Sequence, residues 1–191
     1  MYATHLIRGG DLEAALSLYK SLQEKKPEKL EIYQQILSIE TYMQRQDSVA
    51  KYSAMALERF PDNIEILLSK GYAHAYMDDY KQAVKVFEQA YKASPDDSTR
   101  SAVMGVIGDT YYQQNERNKA YRSYDKALRL DPDNEGVLNN YAYYLGEEDR
   151  ELEKALQMSA RSNEISRNNP TFLDTQAWIL YKLGRYDEAR K

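Results

Sequence analysis

The chain has 191 residues, 42% of them hydrophobic and 29% charged, with a net charge of −4 and no cysteine. That composition belongs to a folded chain rather than a disordered one; it excludes disulfides and thiolate catalysis, and it supplies no basic surface for displacing counterions from a nucleic acid. No apolar run approaches the roughly 20 residues that span a bilayer, and the opening MYATHLIRGGDLEAAL lacks the apolar core of a signal peptide.

Two series of markers set the frame. Pro27, Pro61 and Pro95 lie 34 residues apart, with Pro132 37 further on. Ala15, Val49, Ala83, Ala120, Ala155 and Ala189 follow at steps of 34, 34, 37, 35 and 34. A fixed period of this length marks a stacked repeat, which must be recognised before single elements are assigned.

In chain order, residues 1–29 form a partial unit in which Met1 falls inside a first helix. Residues 30–63 form a unit with Tyr33, Leu37, Val49, Ser53, Ala56 and Pro61. Leu37 and Val49 stand where other units carry small residues, so this helix pair is expected to cross at a wider distance. Residues 64–97 give the cleanest unit: a helix, a turn at Asp78–Asp79, a second helix and a stop at Pro95. Apolar residues recur at i, i+3, i+4 and i+7 in both of its helices. Gly71, Ala83 and Ala90 are small where the two helices cross, and Tyr80 and Phe87 are expected to fill space between neighbouring units. Pro95 lacks an N–H and separates one unit from the next.

Ser98, Thr99 and Arg100 are an insertion, which should start the following helix early or lengthen its loop. Residues 101–134 carry Met104, Gly108, Tyr111, Ala120, Tyr124, Ala127 and Pro132. Residues 135–169 have one extra residue between Gly146 and Arg150. Ser159 and Ser162 replace the aromatic and the alanine there, so this second helix should pack less tightly. Residues 170–191 are a partial unit with Leu173, Ala177, Leu180, Gly184, Tyr186 and Ala189. The frame breaks off inside a helix at each end and shows no polar cap, so the chain is expected to be a portion of a longer array. Its last first helix, with Trp178, Ile179 and Leu180, should then be partly uncovered.

These units resemble the tetratricopeptide repeat along the whole chain. The family pattern has a large residue and then a small one in the first helix, an aromatic before the small residue of the second, another small residue seven later, and a closing proline. The resemblance implies an all-α fold, a right-handed superhelical solenoid of helix-turn-helix repeats. In the family the first helices line a concave groove. Projected here, that face consists of Tyr42, Leu68, Tyr72, Tyr76, Asp109, Tyr112, Asn139, Asn140, Tyr143, Asp174, Trp178 and Tyr181, with Tyr72, Tyr76 and Tyr112 at its centre. Tyrosine and tryptophan are enriched at binding hot spots, and 18 of the residues are tyrosine against three phenylalanines. Asn139 and Asn140 could bond the backbone of an extended peptide. The competing reading is that several of these aromatics pack between adjacent first helices.

The implied function is a non-enzymatic scaffold that binds a protein or peptide in the groove, without cofactor, nucleic acid or membrane insertion. The alternative is a structural or regulatory part of a larger assembly, contacting partners through its convex face or self-associating through its ends. The carboxylate clamp of chaperone-adaptor members is not expected, because the matching positions, among them Ser69, Tyr72, Val106 and Asn140, carry no cation. The last 51 residues look like a pattern common in bacterial repeat proteins. Several of those are exported to the cell envelope, so envelope and cytoplasm both stay open.

Residues with catalytic or metal-binding potential are few. His5 and His74 are the two histidines; His74 is expected to pack against a neighbouring helix, and neither has a partner at metal spacing. The Gly105–Gly108 stretch lacks the strand-loop-helix context of a phosphate loop, and close packing explains it better. Asp78–Asp79 and Glu147–Glu148–Asp149 are expected to be solvated turn residues.

Overall fold

The computed structural model describes Leu6 and residues 9–190; Met1, His5 and Lys191, with what the sequence led us to expect of them, lie outside the described residues. Regular structure among the described residues is helical: α1 (Leu12–Lys25), α2 (Leu30–Tyr42), α3 (Gln46–Leu57), α4 (Ile64–Tyr76), α5 (Tyr80–Ala93), α6 (Asp97–Gln113), α7 (Arg117–Leu130), α8 (Glu135–Glu147), α9 (Leu152–Ile165), α10 (Pro170–Lys182) and α11 (Tyr186–Ala189). The helices group into two compact units, one ending at Ala93 with α1–α5 and one starting at Ser94 with α6–α11.

The turn from each first helix to its second repeats one device. Gly10, Gln44, Asp78, Asn115, Asp149 and Gly184 all have positive φ, between 51° and 81°, at intervals of 34, 34, 37, 34 and 35 residues. The next residue then donates its N–H back to the last turn of the helix, as in Asp11 to Leu6, Arg45 to Glu40, Asp79 to His74, Glu116 to Tyr111, Arg150 to Leu145 and Arg185 to Leu180, all at 2.8–2.9 Å. This is the Schellman closure, in which a left-handed residue lets orphan carbonyls be satisfied. It explains why glycine, asparagine and aspartate dominate these six positions, since they tolerate φ > 0 best. The starts of first helices are capped in a matching way. Asn63, Asp96, Asn134 and Asn169 accept from the backbone N–H of Ile66, Thr99, Val137 and Thr171, which satisfies donors the helix cannot.

The insertion lengthens a helix rather than a loop. α6 spans 17 residues from Asp97, against 13 for α4 and α8. Asp96 caps it through two hydrogen bonds around Thr99, which hold its carboxyl below the usual value.

In the first unit, Ala15, Leu16, Ile36 and Ile39 form one core cluster, and Tyr33, Leu37, Val49, Ala56, Ile66 and Ala73 another. Gln23 donates to the Tyr33 hydroxyl at 3.1 Å between α1 and α2. Glu40 is fully buried, and its Oε1 lies 2.7 Å from Lys20 Nζ. Phe87 is fully buried and packs within its own repeat. A Cβ on Gly71 would come within 2.2 Å of the Phe87 ring, so the glycine of α4 is the slot for the aromatic of α5.

The second unit repeats that slot. A Cβ on Gly108 would sit 2.6 Å from the Tyr124 ring, and one on Gly105 2.6 Å from Val137. The Gly105–Gly108 stretch thus lies inside α6 and serves close packing. Ser159 and Ser162 are both fully buried on α9, with Ser162 Oγ donating to the Ser159 carbonyl at 2.8 Å. Where an aromatic is missing, α9 reaches α10 through Asn163 Nδ2, which lies 3.0 Å from the Phe172 carbonyl and 2.9 Å from Gln176 Oε1. Ile179 and Leu180 are buried, Trp178 is half-buried, and Leu173 and Tyr181 of the same helix are exposed.

Ala127 is fully buried on α7. Its replacement by leucine is expected to lower stability by about 1–3 kcal/mol through overpacking. Urea denaturation read by circular dichroism checks this, and an unchanged midpoint would contradict the packing described.

Candidate functional site

In the second unit, α8 and α10 place two helical faces opposite each other. Asn139, Asn140, Tyr143 and Glu147 come from α8, at spacings that keep them on one side of a helix. Thr171, Asp174, Thr175 and Trp178 come from α10 in the same way. Together they line a pocket of about 490 Å³. Five residues projected from the sequence (Asn139, Asn140, Tyr143, Asp174 and Trp178) meet there. Glu147, Thr171 and Thr175 were missed, though each lies three, four or seven residues from a projected position on the same helix.

The aromatic wall is set by a glycine. A Cβ on Gly146 would come within 2.6 Å of the Trp178 ring, so only glycine lets the indole settle against α8. The indole then faces Tyr143 with ring centroids 5.5 Å apart. Lys182 places its ammonium 5.1 Å from the Trp178 ring centre and 2.9 Å from Asp149 Oδ1. Tyr143 is 41% exposed. Burial and the adjacent Glu147 carboxylate raise its hydroxyl above the usual tyrosine range.

A polar chain runs from the pocket's asparagines to α6 and α7. The Tyr124 hydroxyl donates to Asp109 Oδ1 at 2.6 Å, and Asn140 Nδ2 donates to Asp109 Oδ2 at 3.2 Å. Asn140 therefore turns its oxygen to Asn139, whose Nδ2 lies 3.4 Å away. Asn139 is 4% exposed, and its Oδ1 is left without a hydrogen bond. Burial pushes the Asp109 carboxyl above its usual value near 3.8, while the bonds from Tyr124 and Asn140 pull it partly back.

A raised aspartate makes the folded state hold its proton more tightly than the unfolded state does. The associated stability is present below pH 3.8 and is lost as pH rises through the higher folded value. Relative to an Asp109→Asn variant, the natural chain should therefore lose stability across that window. Denaturation midpoints at a series of pH values test this, and parallel profiles would contradict it.

Tyr112 lies in a closed stack. Tyr144 packs on its ring at 3.8 Å between centroids, and the Arg117 guanidinium lies 3.6 Å from the same centroid. Both faces are taken, which is the packing alternative that the sequence had left open. Arg117 also pairs with Glu148, which accepts the Tyr121 hydroxyl at 2.6 Å. Glu148 is thus a structural anchor rather than the solvated turn residue expected. Tyr181 is 60% exposed and leans on Tyr186.

In the first unit, Leu68, Tyr72 and Tyr76 follow one face of α4 at steps of four, and Tyr42 ends α2. Tyr42 and Tyr76 are 79% and 73% exposed; Tyr72 is edge-on to Phe87 at 5.3 Å. His74 is largely buried at the end of α4, its Nδ1 3.3 Å from Asp79 Oδ2. Among the described residues no cluster of three metal-ligating side chains occurs, and no helix is long and apolar enough to cross a membrane.

Antiparallel helix pairs, each closed by a left-handed residue and two of them seating an aromatic over a glycine, define a tetratricopeptide protein. The chain belongs to the tetratricopeptide repeat family, whose model matches residues 10–191. It is 28% identical over 97 residues to the DnaJ homolog subfamily C member 7 homolog of Schizosaccharomyces pombe, covering 46% of this chain and 20% of that protein. The chain spans about a fifth to a quarter of the length of the curated relatives it matches. Among solved structures it resembles PilW, a widely conserved type IV pilus biogenesis factor, at a TM-score of 0.77 and 18% identity, covering 99% of this chain and 86% of that one. It also resembles YrrB, a tetratricopeptide protein with an unusual peptide-binding site, at a TM-score of 0.58 and 15% identity, covering 90% and 86%. At these identities the likeness shows the fold. That fold points to a protein–protein interaction scaffold.

Proposed function

We propose that the chain is a non-enzymatic scaffold that holds an extended segment of a partner protein against the first helices of its second unit, over α8 and α10. The observation that carries this reading is the α8–α10 pocket, where two asparagines, a tyrosine and a tryptophan converge on one concavity. Aromatic anchors give large contact area at low entropy cost, and asparagine side chains can match both the N–H and the C=O of an extended backbone. The fold shared with YrrB, itself a peptide binder by name, adds support. Tyr112, with both ring faces occupied, serves the scaffold, so Tyr143 and Trp178 take the central place first projected for it. On the first unit by itself, Tyr42, Tyr72 and Tyr76 are exposed and Leu68 is half-buried.

The test begins with affinity capture of a partner from the native host, followed by titration of the identified segment. Tyr143→Ala is expected to cost about 2 kcal/mol of binding, as for a central aromatic anchor. Unchanged affinity, with the fold intact by circular dichroism, would move the site elsewhere.

A further inference from the structure

We infer that the α8–α10 pocket takes a lysine or arginine side chain of the bound segment. The inference rests on the groove reading above and adds the chemistry of its occupant. Two carboxylates, Glu147 and Asp174, line the pocket, and no lysine or arginine does. Among the described residues neither carboxylate has an ion-pair partner. An anionic guest would meet uncompensated like charge, and a purely apolar guest would strip water from both carboxylates with nothing in return.

The second observation is independent of the acids. Asn139 Oδ1 is a buried acceptor without a donor. Its orientation is not arbitrary: Asp109 fixes Asn140, and Asn140 fixes Asn139. A buried polar atom without a partner is costly, and this one can be satisfied only by a group that donates. An ammonium or guanidinium carries three or five donors and no acceptor. The walls suit the same guest. The pocket is lined by Tyr143 and Trp178; Trp178 already holds the Lys182 ammonium 5.1 Å from its ring centre, so Tyr143, 41% exposed, is the ring open to attract a further cation. The aliphatic stem of lysine or arginine would pack against these rings while its head reached the carboxylates.

Trp178 is the single tryptophan of the chain, so its fluorescence reports on the pocket directly. The experiment titrates the full chain with capped hexapeptides of one alanine–glycine host, carrying lysine, arginine, norleucine or glutamate at one central position. The lysine and arginine peptides are expected to shift Trp178 emission saturably, with affinity about fivefold above norleucine and more above glutamate. Raising the salt concentration should narrow that gap. The variant Glu147→Gln/Asp174→Asn should abolish the preference while leaving the melting temperature and circular dichroism unchanged. Equal binding of lysine and norleucine peptides would overturn the cation inference while leaving the groove reading in place. Failure of every peptide to perturb Trp178 up to about 10 mM would overturn both.

Discussion

Replacing Tyr124 with alanine is expected to lower the unfolding free energy by about 3–5 kcal/mol, the range for truncating a large buried aromatic. The side chain is fully buried on α7. Its ring occupies the slot left by Gly108 and stacks on Tyr141 and Tyr144, with centroids 5.0 and 6.0 Å away. Truncation would empty the slot and free both neighbours at once. It would also take from the buried Asp109 a hydroxyl donor at 2.6 Å. Tyr124→Phe separates the contributions: it keeps the ring and removes only the hydrogen bond, at a cost of about 1–3 kcal/mol. Urea denaturation of the two variants checks this. A loss below about 1 kcal/mol for the alanine variant would mean that Tyr124 does not organise the second unit.

Replacing Lys20 with alanine is the second large effect expected, at about 2–3 kcal/mol. Glu40 is fully buried, and the Lys20 ammonium lies 2.7 Å from it, off the hydrogen-bonding direction. Breaking a buried pair by removing one partner ordinarily costs about 3–5 kcal/mol, because a charge is left uncompensated in a poor dielectric. The lower figure applies here because Arg45 Nη1 stays 3.9 Å from the other carboxylate oxygen. The double replacement Lys20→Leu/Glu40→Leu should recover most of the loss, since two apolar residues replace an ion pair at little cost. Equal destabilisation by the single and double variants would show that packing, not charge, holds that interface.

The helix pairs were legible because their causes are local. The prolines, the small residues at helix crossings and the i, i+3, i+4 periodicity each act within one repeat. A further local signal is the residue at the turn from each first helix to its second: glycine, glutamine, aspartate or asparagine, at Gly10, Gln44, Asp78, Asn115, Asp149 and Gly184. Ser98–Arg100 stand out against the period, but whether they lengthen a loop or a helix depends on Asp96 acting as a cap. Less of the site could be read. Helical projection brought Asn139, Tyr143 and Trp178 to one face. It could not tell an open ring from a stacked one, because Tyr112 is closed by Tyr144 and Arg117 from two other helices. For the same reason Glu148 resembled any charged turn residue until Arg117 and Tyr121 were seen to meet it. Buried Glu40 gave no sign in the sequence, since its partner Lys20 lies on a different helix of the preceding repeat.

Site-directed photo-cross-linking tests the central claim most directly. A benzophenone amino acid is placed at Tyr143, in the pocket of α8, and in a separate variant at Arg122, exposed on α7. Both variants are irradiated in the native host, and the captured partner is mapped by mass spectrometry. The account predicts that one partner segment attaches at Tyr143, and that its attachment disappears when the lysine-bearing hexapeptide is in excess. Attachment of the same segment at Arg122 and none at Tyr143 would contradict it.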